Sequence, residues 1–252
     1  MSVLTRRSEL LEVTLGEPLE KPGLVDALNV SRSTVDRGLR ELMTHGFVER
    51  VDDGFTATLA GRLAIDVYAE FIDDSATINE VKRLLAHLPA DVPITTDLLS
   101  SCTVYEATPP AAHKPINYLE AQLREANTHR GVTHTVSQSS TLNWFLECIE
   151  NGLDAEKIHR AELLDYFYND NRKHMEQMVA TGNFRVLQVE TVPFGLAITT
   201  HDDGTQVSVV IYNESGSMEG VIANDTREAY EWAMRYYESL RDEAIDITDQ
   251  FR

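Results

Sequence analysis

The sequence predicts an α+β protein: an N-terminal winged helix-turn-helix, a linker helix, and a mixed α/β effector domain. Three observations predict it. Val35, Leu39 and Leu42 recur at helical spacing within Asn29–Gly46, NVSRSTVDRGLRELMTHG, directly after a short apolar helix. Two short β-like runs, Phe47–Val51 and Phe55–Leu59, flank the turn Asp52-Asp53-Gly54. Four further apolar runs between residues 184 and 222 follow several helical segments and precede a closing helix.

A chain of 252 residues suits about two domains, and 42% hydrophobic residues is ample for a core. No run of about 18 apolar residues occurs, so no membrane partner is expected. The N-terminal MSVLTRRSELLEVTLG lacks an apolar signal region, which predicts a cytoplasmic protein. The two cysteines, Cys102 and Cys148, lack a C-x-x-C spacing and are expected to be buried apolar residues.

Charge is the unusual feature. There are 41 acidic residues against 22 basic, net −19, and only five of the basic residues are lysine. An acidic, lysine-poor chain suits a cytoplasm of very high salt, where ions screen its self-repulsion. Residues 1–62 carry 8 basic and 10 acidic residues, whereas residues 63–252 carry 14 and 31. The candidate DNA-binding part is therefore the less acidic part without being basic. Because phosphate neutralisation supplies most non-specific affinity, DNA binding here must rely on a small arginine cluster.

The elements follow in order. Val3, Leu4, Leu10, Leu11 and Leu15 form one face of a first helix. Lys21-Pro22-Gly23 opens a second, which Leu24, Val25 and Leu28 bury, and Val30 plugs the turn after it. Ser31 then caps the recognition helix. Arg32, Ser33, Thr34, Arg37 and Arg40 lie off its buried stripe, mostly near the end that a recognition helix directs at base edges and phosphates. With Ser31 and Arg50 of the wing they are the candidate DNA-binding residues. Residues 1–62 form this domain. Residues 63–92 read as a linker or dimerisation helix, with a heptad-like seam from Ala64 to Leu85 and a break expected near 74–76 from Asp73-Asp74-Ser75 and a capping box at Thr77 and Glu80.

Residues 93–252 read as the effector domain. A short helix over 95–101, a strand over 102–106, a proline-rich loop and an amphipathic helix over 116–127 come first. A β-like stretch over 131–136 leads to a helix capped by Ser137–Thr141. One long helix is expected over 160–180, then strands over 184–189, 194–200, 207–213 and 218–222, and a helix over 226–243.

Three stretches carry a family resemblance: ATPPAAHKPI, ATGNFRVLQVETVPFGLAIT, and VSVVIYNESGSMEGVIANDTREAYEWAMRYYESLRDEA. Over roughly residues 20–245 the chain resembles archaeal winged-helix regulators of the haloarchaeal type, whose effector domain is that of the methanogenesis-regulator family and is loosely related to TrmB-like regulators. The resemblance implies a transcription factor that acts on double-stranded promoter DNA and whose second domain senses a small metabolite of the sugar-phosphate class. A homodimer is expected because two-fold symmetry doubles the site read by one winged helix.

Chemistry in the second domain is sparse. The histidines show no HExxH pattern, and no P-loop or G-x-G-x-x-G occurs, so neither a metal site nor a cofactor is expected. With no nucleophile or paired-carboxylate signature, an enzyme is not expected either. The candidate ligand contacts are His113 and Lys114 in the proline-held loop, Ser139 and Ser140 at a helix N-terminus, and Arg130 and Arg185 as a cationic clamp. Two alternatives stand beside the sensor: a DNA-binding protein with a purely structural dimerisation domain, and an enzyme with a winged-helix interaction module.

Overall fold

A computed structural model describes residues 2–136 and 140–252, and for Ser2 and Ser140 the backbone only. It divides into two compact units, Met1–Ala76 and Thr77–Arg252.

The first unit opens with α1 (Ser2–Val13), α2 (Lys21–Leu28) and α3 (Arg32–Thr44), followed by β1 (Val48–Val51) and β2 (Gly54–Ala57). Leu10, Leu11, Leu24, Val35, Leu39, Leu42, Val48 and Phe55 form its core. The Ser31 hydroxyl accepts from the Thr34 amide at 3.2 Å, satisfying one of the free donors of the first turn of α3. Helix α3 ends at Thr44, and Gly46 turns the chain at φ +72°, where a side chain would be strained. Gly38 lies in the buried stripe of α3 because α1 comes so close that a Cβ there would sit 2.5 Å from Leu10 Cδ2. The hairpin pairs Val48 with Ala57 and Val51 with Gly54, and Leu19 adds a bridge to Phe55. The result is a winged helix-turn-helix.

Helix α4 (Leu59–Leu85) is one continuous element, so the break expected near 74–76 is not there. Between Gly61 and Pro89 the sequence contains neither glycine nor proline. Residues with capping preferences stop a helix only where its continuation is unfavourable, and here nothing opposes it. The expected returning strand is also shorter, since Leu59 begins α4.

The second unit contains α5 (Thr96–Leu99), β3 (Thr103–Glu106), α6 (Lys114–Glu125), β4 (Thr128–Thr133), α7 (Ser140–Glu150) and β5 (Asp154–Arg160). These are followed by α8 (Leu163–Asp170), α9 (Arg172–Ala180), β6 (Phe184–Val189), β7 (Gly195–His201), β8 (Gly204–Tyr212), β9 (Met218–Asn224), α10 (Arg227–Glu243), β10 (Ile245–Asp246) and a 3-10 turn over Thr248–Phe251. Ten strands are thus described in the two units, eight of them in one mixed sheet of order β10-β6-β5-β4-β7-β8-β9-β3. Strands β4, β5 and β6 are mutually parallel and the other pairings are antiparallel.

Both faces of this sheet are covered. One carries Ile158, Leu187, Leu196, Ile198, Val209 and Ile222 against Trp232, Ala233 and Tyr237 of α10 and Leu98 and Leu99 of α5. The other carries Ala155, Phe184 and Val186 against Phe145 and Ile149 of α7, Phe167 of α8 and Met175 and Met178 of α9.

Two differences from expectation matter. The long helix expected over 160–180 is two helices parted at Asn171, with residue 160 still in a strand. That strand, β5, and the short β10 have no counterpart in the sequence reading. In β5 the buried Glu156 on one face is matched by ion pairs from Arg185 at 3.0 Å and Arg241 at 2.7 Å, so a polar sequence, DAEKIHR, occupies the middle of the sheet.

Candidate functional site

The surface of α3 is built first by capping and packing. With Val35, Gly38, Leu39 and Leu42 turned into the core, Ser31, Arg32, Ser33, Thr34, Arg37 and Arg40 are left exposed. Ser31 Oγ lies 2.9 Å from both Ser33 Oγ and Thr34 Oγ1, so these hydroxyls form one polar knot at the helix N-terminus.

Several nearby cations are already paired. Arg7 Nε bonds Glu41 Oε2 at 2.9 Å and Arg37 Nε bonds Glu41 Oε1 at 3.1 Å. The hydrogen bond from Arg7, helped by Arg37, overcomes partial desolvation and holds the Glu41 carboxyl down to about 2. Lys21 bonds Asp36 at 2.5 Å and likewise lowers that carboxyl. Arg40 donates to the Asp36 carbonyl at 3.2 Å. Arg32 and Arg50 make no ion pair among the described residues and are exposed. Of the candidate DNA-binding set, Arg32 therefore presents its guanidinium most freely, beside the free amides of α3.

The candidate ligand residues are not gathered at one place. His113 and Lys114 are exposed and line an open groove with Tyr105, Glu106 and Asn117. Arg130 donates to Asp154 Oδ1 at 2.7 Å, and Arg185 pairs with Glu156 at 3.0 Å. Both thus serve neighbouring carboxylates, and no clamp forms. Ser139 lies outside the described residues, and Ser140 is the first residue of α7.

The structure assembles a different constellation. Alternation along β4 and β5 puts His129 and Gly131 on the same sheet face as Lys157 and His159, with Gly131 opposite Lys157 and Thr133 opposite His159. His129, Thr133, Lys157 and His159 line a partly open cavity of about 90 Å³ with walls from α6, α7 and α9. His129 is 1% and His159 3% exposed. The His129 ring meets Phe145 edge-on at 5.8 Å, His159 meets Phe167 at 4.7 Å, and Lys157 Nζ stands 4.0 Å above the Phe145 ring. Burial, with the charge of Lys157 second, pushes His159 down to about 3 and His129 well below its ordinary value. Burial lowers the Lys157 ammonium to about 8. At neutral pH the site thus holds one ammonium and two neutral imidazoles.

Sequence reasoning missed Lys157 and His159 because it missed the strand that carries them. The available signal was the run Ala155-x-Lys157-x-His159, whose period of two is hidden by Glu156, Ile158 and Arg160 between them.

Residues 1–80 match a family model described as the HVO_A0261 N-terminal domain. No curated protein matches the chain. Among solved structures it is similar to TrmBL2, an archaeal chromatin protein, with 10% identity over 91% of this chain and 88% of that one and a TM-score of 0.45. It is also similar to Nuc, a phospholipase D family member from Salmonella typhimurium, with 11% identity over 58% of this chain and 98% of that one and a TM-score of 0.45. NucT from Helicobacter pylori gives 12% identity, 58% and 99% coverage, and a TM-score of 0.43. Residues 112–243, more than half of the chain, match the model for the middle domain of the methanogenesis regulatory protein FilR1, and the chain belongs to that family.

Proposed function

We propose that the protein is a DNA-binding transcriptional regulator whose first unit binds double-stranded promoter DNA through α3. The observation that carries this reading is the unpaired, exposed Arg32 within a hydroxyl-rich helix N-terminus, in a chain of a regulatory-protein family. Ser31, Ser33 and Thr34 serve the phosphates, Arg32 and Arg40 reach base edges or phosphates, and Arg50 contacts the backbone from the wing. The second unit acts as a sensor through this partly open cavity.

Replacing Arg32 with Ala is expected to weaken binding to genomic fragments selected by the unaltered protein about tenfold, and to lower the salt slope by about one if the contact is to phosphate. Arg37→Ala is expected to do less, because Arg37 is committed to Glu41 in an exposed pair. Gel shifts across a salt series check both. Unchanged affinity in each variant would remove α3 from the interface.

The regulator works as a homodimer. Leu63, Val67 and Phe71 recur every four residues on α4 and are 59%, 66% and 51% exposed. A two-fold pairing through this stripe would bury it. Light scattering is expected to give a dimeric mass for the unaltered protein and a monomeric one for Val67→Glu. A monomeric unaltered protein would refute the pairing.

A further inference from the structure

The cavity in the second unit is unusual in what it leaves undone. None of the four ring nitrogens of His129 and His159 has a hydrogen-bond partner among the described residues. The Ile198 backbone lies close enough to His129 to favour protonation, yet forms no bond of normal geometry with it. More than nine in ten buried polar groups find a partner, and each orphan costs about 1–3 kcal/mol. Two histidines left this way, four residues apart in register on neighbouring strands and both lining one cavity, mark a place where a ligand supplies missing bonds.

The charge points to the ligand's sign. No aspartate or glutamate lines the cavity, and Lys157 makes no ion pair among the described residues. In a chain with 41 carboxylate side chains and five lysines, one lysine is held where no carboxylate reaches it. Its only close partner of note is the face of Phe145, a weak substitute for an anion. One ammonium balances one negative charge. Each neutral imidazole adds a single N–H donor for an acceptor held in the cavity.

The volume points to the ligand's size. A dry cavity of about 150 Å³ accommodates benzene. The cavity here, about 90 Å³, is smaller than that, which favours a ligand of a few non-hydrogen atoms over a hexose phosphate. Leu119, Leu142, Phe145 and Phe167 give an apolar wall that suits a short hydrocarbon tail, while Thr133, Thr135, Thr141 and Tyr212 also line the cavity.

Gly131 seats the His129 ring. A Cβ at this position would lie 2.4 Å from His129 Nε2 and 3.3 Å from Lys157 Cε, so the missing side chain lets the imidazole lie over the strand beside the lysine.

We propose that this cavity binds a short-chain monocarboxylate, with Lys157 receiving the carboxylate, His129 and His159 donating to it, and the tail lying against the aromatic wall. The proposal rests on the reading of the second unit as the sensor and narrows its effector from the sugar-phosphate class to a small organic acid.

The test is titration calorimetry of acetate, propionate and butyrate into the full chain in chloride-free buffer, with propionamide and inorganic phosphate as comparators. Saturable binding of at least one acid is expected, with propionamide inert. Lys157→Met and Gly131→Ala are each expected to weaken binding at least tenfold. Lys157→Met removes an uncompensated buried charge and should fold, and thermal unfolding confirms it. Gly131→Ala retains every polar group but displaces the His129 ring, so its effect reports the placing of that imidazole. Phosphate binding in place of the acids, equal binding of propionamide, or acid binding that survives both substitutions would overturn the assignment. So would the absence of saturation by any probe at tens of millimolar. Because calorimetry uses no DNA, its outcome is separate from that of the gel shifts: acid binding with no DNA binding sinks the regulator, and the reverse sinks only this site.

Discussion

Glu156→Ala is expected to lower the stability of the second unit by about 3 kcal/mol, among the largest effects of any single polar substitution in the chain. Glu156 is 2% exposed and sits at the centre of the sheet. Its Oε1 accepts from Tyr237 Oη at 2.8 Å and Arg241 Nε at 2.7 Å, and Oε2 pairs with Arg185 at 3.0 Å. One carboxylate therefore ties β5 to β6 and to α10. Removing it leaves the buried Tyr237 hydroxyl with only the long 3.4 Å bond to the backbone carbonyl of residue 156, while Arg185 and Arg241, each about half exposed, recover part of their hydration. Glu156→Gln keeps the shape and an acceptor oxygen and should cost less. Both tryptophans, Trp144 and Trp232, lie in the second unit. Their fluorescence in urea therefore follows that unit alone, and an unchanged midpoint for Glu156→Ala would show that the network contributes nothing.

Acidification is expected to weaken the same unit in two separable stages. His159 is depressed to about 3 and His129 is lowered too, both mainly by burial and secondly by Lys157, with Arg130 adding to the effect on His129. A histidine held neutral in the folded state but ordinary in the unfolded state leaves stability intact above about pH 6.5. Below that the unfolded chain takes up protons that the folded one refuses, and stability falls until the folded value is reached. Between pH 6.5 and 4.5 the loss from His159 should approach about 2 kcal/mol, and His129 adds to it in the same direction. Glu156 enters later. Burial opposes its ionisation, but Arg241, Tyr237 and Arg185 outweigh that and leave its carboxyl below the ordinary range. Its contribution is complete above about pH 4.5 and is lost as pH falls through the depressed value. Urea midpoints at several pH values, compared with those of a His129→Leu, His159→Leu double variant, check the assignment. The variant should be flatter from about pH 6.5 down to about 3, where the folded-state value of His159 is reached, and parallel only below that. Parallel curves throughout would show that the two rings are not the titrating groups.

The proposed monocarboxylate site and this acid response share one cause. Buried histidines without hydrogen-bond partners among the described residues are open to a ligand's polar atoms and costly to protonate. An anion bound beside Lys157 would stabilise its ammonium, so the effector and the proton act on the same cluster.

Legibility in the sequence followed the physics of each segment. In α3 a stripe at helical period, a capping serine and a terminal glycine all agree, and packing had nothing to override. The same holds for β6, β7, β8 and β9 and for α10, whose apolar residues are contiguous or evenly spaced. The break expected within α4 failed because capping preferences were read as stops where the chain had no reason to leave the helix. Strand β5 was illegible because its hydrophobic pattern is replaced by charges whose partners come from residues about 30 and 85 positions away. No local rule detects a Glu made acceptable by Arg185 and Arg241.

By itself the sequence determined the order of elements at both ends, the exposed arginine set on α3 and the acidic, lysine-poor surface, since these depend on local periodicity and composition. Tertiary structure alone decided which polar residues meet. Parallel pairing of β4 with β5 set His129 and Gly131 against Lys157 and His159, and ion pairing withdrew Arg130 and Arg185 from any ligand. The reason is physical: a side chain's face is set by its strand, but its neighbours across the sheet are set by register, which long-range packing fixes.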